Sequence, residues 1–588
     1  MNLEVTSVSR RPEKLSQTAS AIQVITGEDI RRSGATRLPE ALRLASNLAV
    51  DQLDASQWAI SARGFNSPLA NKLLVLIDGR TVYSPLFAGV FWDVQDVLLE
   101  DVERIEVISG PGGTLWGANA VNGVINIITK SAKASQGAFL GAGGGTEVRA
   151  FGRARYGGAL ASNLYGRAYG KYSDYDGKVL ADGRDANNDW HMGQGGGRLD
   201  WEASEATLFT LQGDLYENRL PLAGPDDIVT RGANVMGRWS HTLSEASHVK
   251  LQGYVDRMHR NIPGQYDDVL YTYDLDFQHR FALGARHAVV WGTGYRRVAD
   301  NFAPGALALV SRRVSLETFS AFVQDEMALS RDRLHLTLGT KVEHNDYTGL
   351  EVQPHVRLVW LWSQQQTLWA AVSRAVRTPS RLDRDLVVLP GRDFDSEKLL
   401  AYEGGYRAQP HEQLAVSLAV FYHDYDDLRS VEQVDPPVPF VVGNGQAGAS
   451  YGAELWGDYR PAQGWRLRAG YTAMRVDIRA KPGSTDRTSG ASEAADSDHN
   501  FSVRSSLDLP AQVEFDTMFR YVSRLRHPSV PVPGYAELDI RLAWRPTPTL
   551  EFSVVGQNLL HARHAEFGDP GTRQEIERGV YGKVTWRR

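Results

Sequence analysis

The chain has 588 residues, no cysteine, 56 glycines, 10% aromatic residues and a formal net charge of -6. That length suggests about four soluble domains. The balance of 64 basic and 70 acidic side chains argues against a nucleic-acid partner, and the missing cysteines exclude disulfide scaffolds, thiol nucleophiles and thiolate metal sites. No apolar run nears the ~18 residues of a membrane helix; Leu73–Ile77 is among the longest.

Only seven aromatic residues fall in residues 1–135, against 49 in the remaining 453, and the local pattern changes near Ser131–Gln136. This divides the chain into an N-terminal segment (1–15), a small α/β domain (16–133) and a long β-rich region (134–588). At the start, Leu3-Glu4-Val5-Thr6-Ser7-Val8 is short and β-prone, and Arg10-Arg11-Pro12 stops it.

Ala21–Ile25 is a short apolar strand. Thr26, three residues before Asp29, starts a brief helix through Arg32 in the manner of a capping box. Thr36 is placed as the cap of a second helix, Leu38–Ala45, with Pro39 in its first turn. Leu73–Ile77 is a buried strand closed by an Asp78-Gly79 turn. Arg104–Ile108 and Val124–Thr129 are β-rich runs around a glycine-rich loop, Gly110–Gly117. That loop is not a phosphate cradle, because Gly117 is followed by Ala118-Asn119 rather than Lys-Ser/Thr.

Beyond residue 136 the pattern is nearly continuous period-2 alternation. Trp465, Leu467, Ala469, Tyr471 and Ala473 alternate with Arg466, Arg468, Gly470 and Thr472, which puts one set on each face of a strand. Twenty-two such segments begin between residues 137 and 578, with soft boundaries that leave a count of 20 open. Connections after even strands are short (Ala203-Ser204, Pro461-Ala462), and those after most odd strands are long (Asp174–Trp190, Val376–Glu397, Ser430–Ala447). Short turns on one rim and long loops on the other predict a mainly β fold: a 22-stranded antiparallel transmembrane barrel, touching outer-membrane lipid, with both barrel ends on the short-turn side. Such strands cross a membrane without any long apolar run.

Several motifs resemble one family. Arg104-Ile105-Glu106-Val107, Gly110-Pro111 and Trp116-Gly117-Ala118-Asn119 through Gly123 and Thr129 look like the plug domain of TonB-dependent outer-membrane receptors. Ser61-Ala62-Arg63-Gly64-Phe65, Leu76–Arg80, Arg377-Thr378-Pro379-Ser380, Tyr451–Glu454 and Asn558-Leu559 are similar to other family segments. The resemblance implies that Arg63, Gly64, Arg104, Glu106, Gly110, Pro111, Gly117, Asn119 and Gly123 are structural, letting the plug pack against the wall. It also implies that residues 3–8 are the TonB box, which pairs as an added strand with TonB, itself driven by an inner-membrane energising complex. The implied function is active import of a scarce nutrient: a ferric siderophore or similar metal chelate first, cobalamin next. A passive porin-like channel is the rival. A monomer in the bacterial outer membrane is expected, with periplasmic termini.

Cargo contacts are expected at the plug apex, on Phe65, Asn66, Ser67, Leu69, Tyr83 and Phe87. No Ser/His/Asp or Gly-x-Ser-x-Gly signature suggests an enzyme, and no cofactor is required. Asp174, Asp176, Asp182, Asp185 and Asp189 make one loop dense in oxygen ligands, a calcium candidate whose bland alternative is a solvated acidic loop. His191, His259, His423, His499, His527, His561 and His564 read as exposed loop histidines. No signal peptide is present, so a mature or trimmed chain is expected, with no room for an N-terminal signalling domain. The family's usual terminal aromatic is displaced here to Trp586, before Arg587-Arg588.

Overall fold

The structure, a computed structural model, describes residues 3–221, 226–330, 333–434, 440–488, 490, 494–525 and 531–588. His527 lies outside them.

The N-terminal domain is built on a five-stranded sheet: β1 (Ala21–Thr26), β2 (Leu73–Ile77), β3 (Arg80–Thr81), β4 (Val102–Ser109) and β5 (Gly123–Thr129), in spatial order β1-β4-β5-β2-β3. β5 and β2 are parallel. The all-apolar run of β2 suits that position, since a parallel strand is covered on both faces. Two helices cover the sheet. In α1 (Gly27–Ser33) the Asp29 amide donates to Thr26 Oγ1 at 3.2 Å and the Thr26 amide donates back to the Asp29 carboxylate at 3.0 Å. Helix α2 (Leu38–Leu42) is shorter than the expected Leu38–Ala45, because the next amides bond three residues back and tighten the last turn. Its cap position is Arg37; Thr36 instead donates from its amide and hydroxyl to Glu40. The loop at residues 110–117 holds one helical turn, Gly113–Trp116. Ile30, Leu38, Leu42, Val75, Ile105, Val107, Ile125 and Ile127 form the apolar core.

A turn at Lys133–Ser135 leads into the wall. Twenty-two strands among the described residues close an antiparallel barrel. The last, Gly579–Arg587, pairs with both Leu550–Gln557 and the first, Gly137–Gly145. The wall is inside out. On Gly349–Ser363, Leu350, Val352, Val356, Leu358 and Trp360 point outward and are exposed, while Glu351, Gln353, His355 and Arg357 point into the lumen and are buried. That pattern is stable only when lipid meets the outer face. Among the described residues no helix is long and apolar enough to cross a membrane.

Both flanks of one expected loop are wall. Residues 430–433 and 440–447 belong to strands Leu414–Gln433 and Phe440–Ala462, whose pairing resumes beyond bulges near Leu428 and runs to Gln433 opposite Phe440. The bulges break the simple alternation and so hide the continuing strand.

Val356 sits mid-strand on the outer face. Val356→Arg is expected to cost about 2–4 kcal/mol of barrel stability in lipid, read as a lower urea midpoint for folding into vesicles. Exchange of the same position for Leu should leave the midpoint unchanged.

Candidate functional site

The small domain fills the lumen, and charge pairs dominate its contact with the wall. Arg31 meets Glu514 and Glu551 at 2.7 and 2.6 Å, Arg32 meets Asp516 at 2.8 Å, and Glu100 meets Arg153 and Lys583 at 2.9 Å each. Asp29 faces Arg468 and Arg504; burial alone would raise its carboxyl, but these guanidiniums hold it well below the usual range. Lys72 meets Glu397 at 2.8 Å, both buried, and Arg63 has a fully buried side chain. Arg63 centres the next cluster. It donates to Glu454 at 3.0 Å and to Glu403, lies 3.1 Å from His423 Nε2, and sits over the Phe421 ring.

The glycines beside it permit close approach. Gly110 has φ +102°, and a Cβ there would lie 2.2 Å from Glu403; at Gly117, φ +90°, it would lie 2.4 Å from Glu343. Asn119, at φ +75°, bonds the wall through its amide to Val376 and accepts from Thr378. Pro111 accepts from Arg357 through its carbonyl. Gly64 (φ +101°) abuts Val476, and Gly123 opens β5 opposite Ser109.

From Val5 to Val8 the N-terminal segment is tucked inside. Glu4 and Val5 pair antiparallel with Lys14 and Glu13, so the chain folds back on itself as a strap. Leu3 is exposed, whereas Val5 and Val8 are buried with Leu15, Ile22, Leu74, Ile108 and Val124. Glu106, fully buried in β4, gathers the strap: it accepts from the amides of Thr6 (3.0 Å) and Ser7 (2.8 Å), the Ser7 hydroxyl (2.6 Å) and Arg104 (2.8 Å). Arg10 then pairs with Asp276 on the wall at 3.1 Å.

At the opposite end, the six expected apex residues do not form an open surface. Phe65 (2% exposed) packs on Tyr425 at 4.7 Å, and Phe87 (6%) packs with Leu86, Phe302 and Leu309. Asn66 is buried, donating to Asp51 at 2.6 Å. Ser67 is buried and Tyr83 half-buried, its hydroxyl donating to Asn71. Only Leu69 of the six is exposed. Two wall loops cover them. Asp496 accepts from the amides of Phe65 and Asn66 at 3.0 Å each, and Arg381 and Leu382 donate their amides to Pro85 and Leu86. The second loop starts with a capping box, Ser380 to Asp383, a spacing that the sequence displays without showing what the loop covers. Nothing in the sequence around Asp496 signals its role.

The acidic loop is engaged by arginines. Asp176 and Asp189 pair with Arg149, Asp182 with Arg184, Asp185 caps the Asn187 amide, and Asp174 lies in a wall strand opposite His191. Among the described residues no three His, Asp or Glu side chains are arranged to hold a metal ion. The histidines are not uniformly exposed loop residues. His423 is buried beside Arg63, His564 is buried against Glu566, and His191, His259 and His499 stand on wall strands. His561, in a loop, meets Glu537 at 2.7 Å.

A model of the TonB-dependent receptor plug domain matches residues 14–124, and one of the TonB dependent receptor-like beta-barrel matches residues 134–559. The chain belongs to the TonB-dependent receptors. It is therefore an outer-membrane protein, with short turns periplasmic and long loops extracellular. This receptor is 33% identical over 147 residues to the vitamin B12 transporter BtuB of Vibrio vulnificus, a match spanning 25% of the chain and only 23% of that transporter. It is 25% identical to the ferric enterobactin receptor of Pseudomonas aeruginosa, over 75% of this chain and 71% of that one. A solved point mutant of the ferric enterobactin receptor PfeA from the same organism shares the fold with TM-score 0.80 at 17% identity, covering 97% and 98% of the two chains. The FrpB iron transporter of Neisseria meningitidis does so with TM-score 0.82 at 14% identity, covering 97% and 100%.

Removing the Arg63 guanidinium leaves Glu403 and Glu454 without their buried cation. Arg63→Ala is expected to cost about 3–5 kcal/mol of plug seating, seen as faster hydrogen exchange across β4 and β5 with the wall strands unchanged.

A pH effect follows at the apex. Burial, with Glu566 adding to it, pushes the Asp51 carboxyl up to about 8, and burial pushes Asp496 up to about 7. Acids raised in the folded state contribute stability that is complete below about pH 4 and is lost as pH rises through 7 to 8. Docking of the Asp496 loop on the apex should therefore weaken from pH 6 to pH 9, read as intrinsic-rate-corrected hydrogen exchange at residues 494–497. Asp496→Asn should flatten that dependence.

Proposed function

We propose that this receptor actively imports a ferric siderophore or similar metal chelate, driven by TonB acting on residues 3–8. The strap carries the reading. It is a short β-prone segment, continuous with the plug, held by one buried carboxylate and a small apolar cluster at the periplasmic side. A strand of this kind can be drawn out and paired with a partner's edge, since main-chain hydrogen bonds supply the affinity. Pulling it removes donors from Glu106 and leaves that charge buried without its amide partners, which loosens β4. The plugged lumen supports active over passive transport, because a 22-stranded barrel is a wide channel only when nothing fills it.

The metal-chelate cargo is supported by the long alignment to a ferric enterobactin receptor. Cobalamin stays as the second reading because of the higher-identity stretch shared with a vitamin B12 transporter. Calcium is proposed only as an accessory of the loop at residues 174–189, and its aspartates engage arginines before any ion.

Calorimetry on the detergent-purified full chain with ferric siderophores and with cobalamin separates the cargoes; binding of cobalamin alone would overturn the chelate reading. Deletion of residues 3–8 is expected to leave binding intact and abolish uptake of the radiolabelled ligand. Undiminished uptake would remove the strap from energy coupling.

A further inference from the structure

Between the plug and one side of the wall lies a cavity of about 400 Å³. Its plug side is the turn between β2 and β3, with Asp78 and Thr81, and its wall side is formed by strands between Ile228 and Asn345. It shares Arg10, Ser240 and Lys250 with a wider mouth of about 840 Å³, whose lining moves on to the periplasmic turns at residues 203–206 and Thr242. The two spaces form one passage open below.

The passage stops above. Arg296 closes its upper end on Thr81 at 3.0 Å. One step higher, Arg80 pairs with Asp256. Next comes an apolar layer of Met258, Leu270 and Val298 with Phe91, over which Arg260 pairs with Asp93 at 2.8 Å, and then the Phe87–Phe302 cluster beneath the covering loops. The plug therefore seals only the extracellular half of this side.

The chamber's charge is uneven. Arg10, Arg104, Arg238, Lys250, Arg296 and Lys341 face Asp78, Asp274, Asp276 and Glu343, and Glu106 lies behind as the buried partner of Arg104: six cations against five carboxylates, a surplus of one. Asp276 and Asp274 are already paired, with Arg10 and Arg296. Arg238 donates to Gln252 and to the Asp78 carbonyl rather than to a carboxylate, and Lys250 makes no ion pair among the described residues. A narrow space with low-dielectric walls and a surplus of one sign concentrates the opposite ion.

We propose that this chamber is the periplasmic half of the cargo's route and that it is built to pass an anion, a chelate or solute carrying carboxylate, catecholate or phosphate groups. This rests on the importer reading above. The strap gives the chamber its lower edge through Arg10, so withdrawing residues 3–8 takes Arg10 with them and joins chamber and mouth over their full width. Arg238 and Lys250 stay behind on the wall. What remains to be displaced is the Arg80–Asp256 pair and the apolar layer above it, not the whole plug.

The chain has no cysteine, so an introduced thiol is the only one. Ser320→Cys places it on the chamber wall, and Ala285→Cys places it on an exposed periplasmic turn. Rates of modification by an anionic and a cationic methanethiosulfonate of similar size are measured on the purified full chain. The anionic-to-cationic ratio at residue 320 is expected to be roughly tenfold above that at residue 285, and to fall to within about twofold when Arg238→Gln and Lys250→Gln are added. Thr318→Cys, on the same face of the same strand, repeats the reading should Ser320→Cys misfold. Equal ratios at the two positions, a preference for the cation, or no reaction with either reagent at 320 and 318 would overturn the proposal. The assay uses neither cargo nor TonB, so a failed uptake experiment leaves its result standing, and a failed ratio leaves the importer reading standing.

Discussion

A wall that must be apolar outside is left polar inside, and this one constraint shapes everything within the barrel. Because Glu351, Gln353 and Arg357 point inward where Val352 and Val356 point out, any domain in the lumen meets charges rather than methyl groups. The plug answers with Arg31, Arg32, Arg63, Asp29 and Glu100, each matched to a wall partner of opposite sign. Buried ion pairs contribute little net stability over apolar contacts, yet breaking one from a single side costs several kcal/mol. The interface is thus specific about position without being strongly adhesive. The apolar core stays inside the plug, which holds the domain together while its outer contacts are exchangeable.

That division explains how a receptor can be sealed and movable at once. Strand β4 touches both ends of the device: Glu106 in its middle holds the strap, and Gly110 just beyond its end lies against Glu403, which shares Arg63. Work done on the strap is therefore done on the strand that leads to the fully buried Arg63. The apex is held by different groups, Asp51, Asp496 and the turn at residues 380–385, so cargo arrival and periplasmic pulling act on separate sets of bonds.

The wall was legible in the sequence because alternation is a local property, and all 22 strands could be counted from it. It failed at Leu428–Ser430, where bulges shift the register and a strand reads as loop. Helix α2 read too long because a tightened last turn has the same apolar spacing as an α-turn. The plug motifs located Arg63, Glu106 and Gly110, but their partners Glu403, Glu454 and Ser7 lie up to hundreds of residues away, and no spacing rule connects them. The apex residues read as a binding surface because aromatic and polar groups in a loop look alike whether open or covered. Covering depends on Asp496 and Arg381, which come from other loops. The aspartates from 174 to 189 were read without their cations: Arg149 bridges Asp176 and Asp189, and Arg184 takes Asp182.

The central claim is that a charge-paired plug closes a lumen that would otherwise conduct. Planar-bilayer recording on the intact chain, and on a chain lacking residues 16–133, tests it most directly. The account predicts a nearly closed intact protein and a large, steady conductance once those residues are removed. An intact chain that conducts ions as freely as the plugless barrel would contradict it.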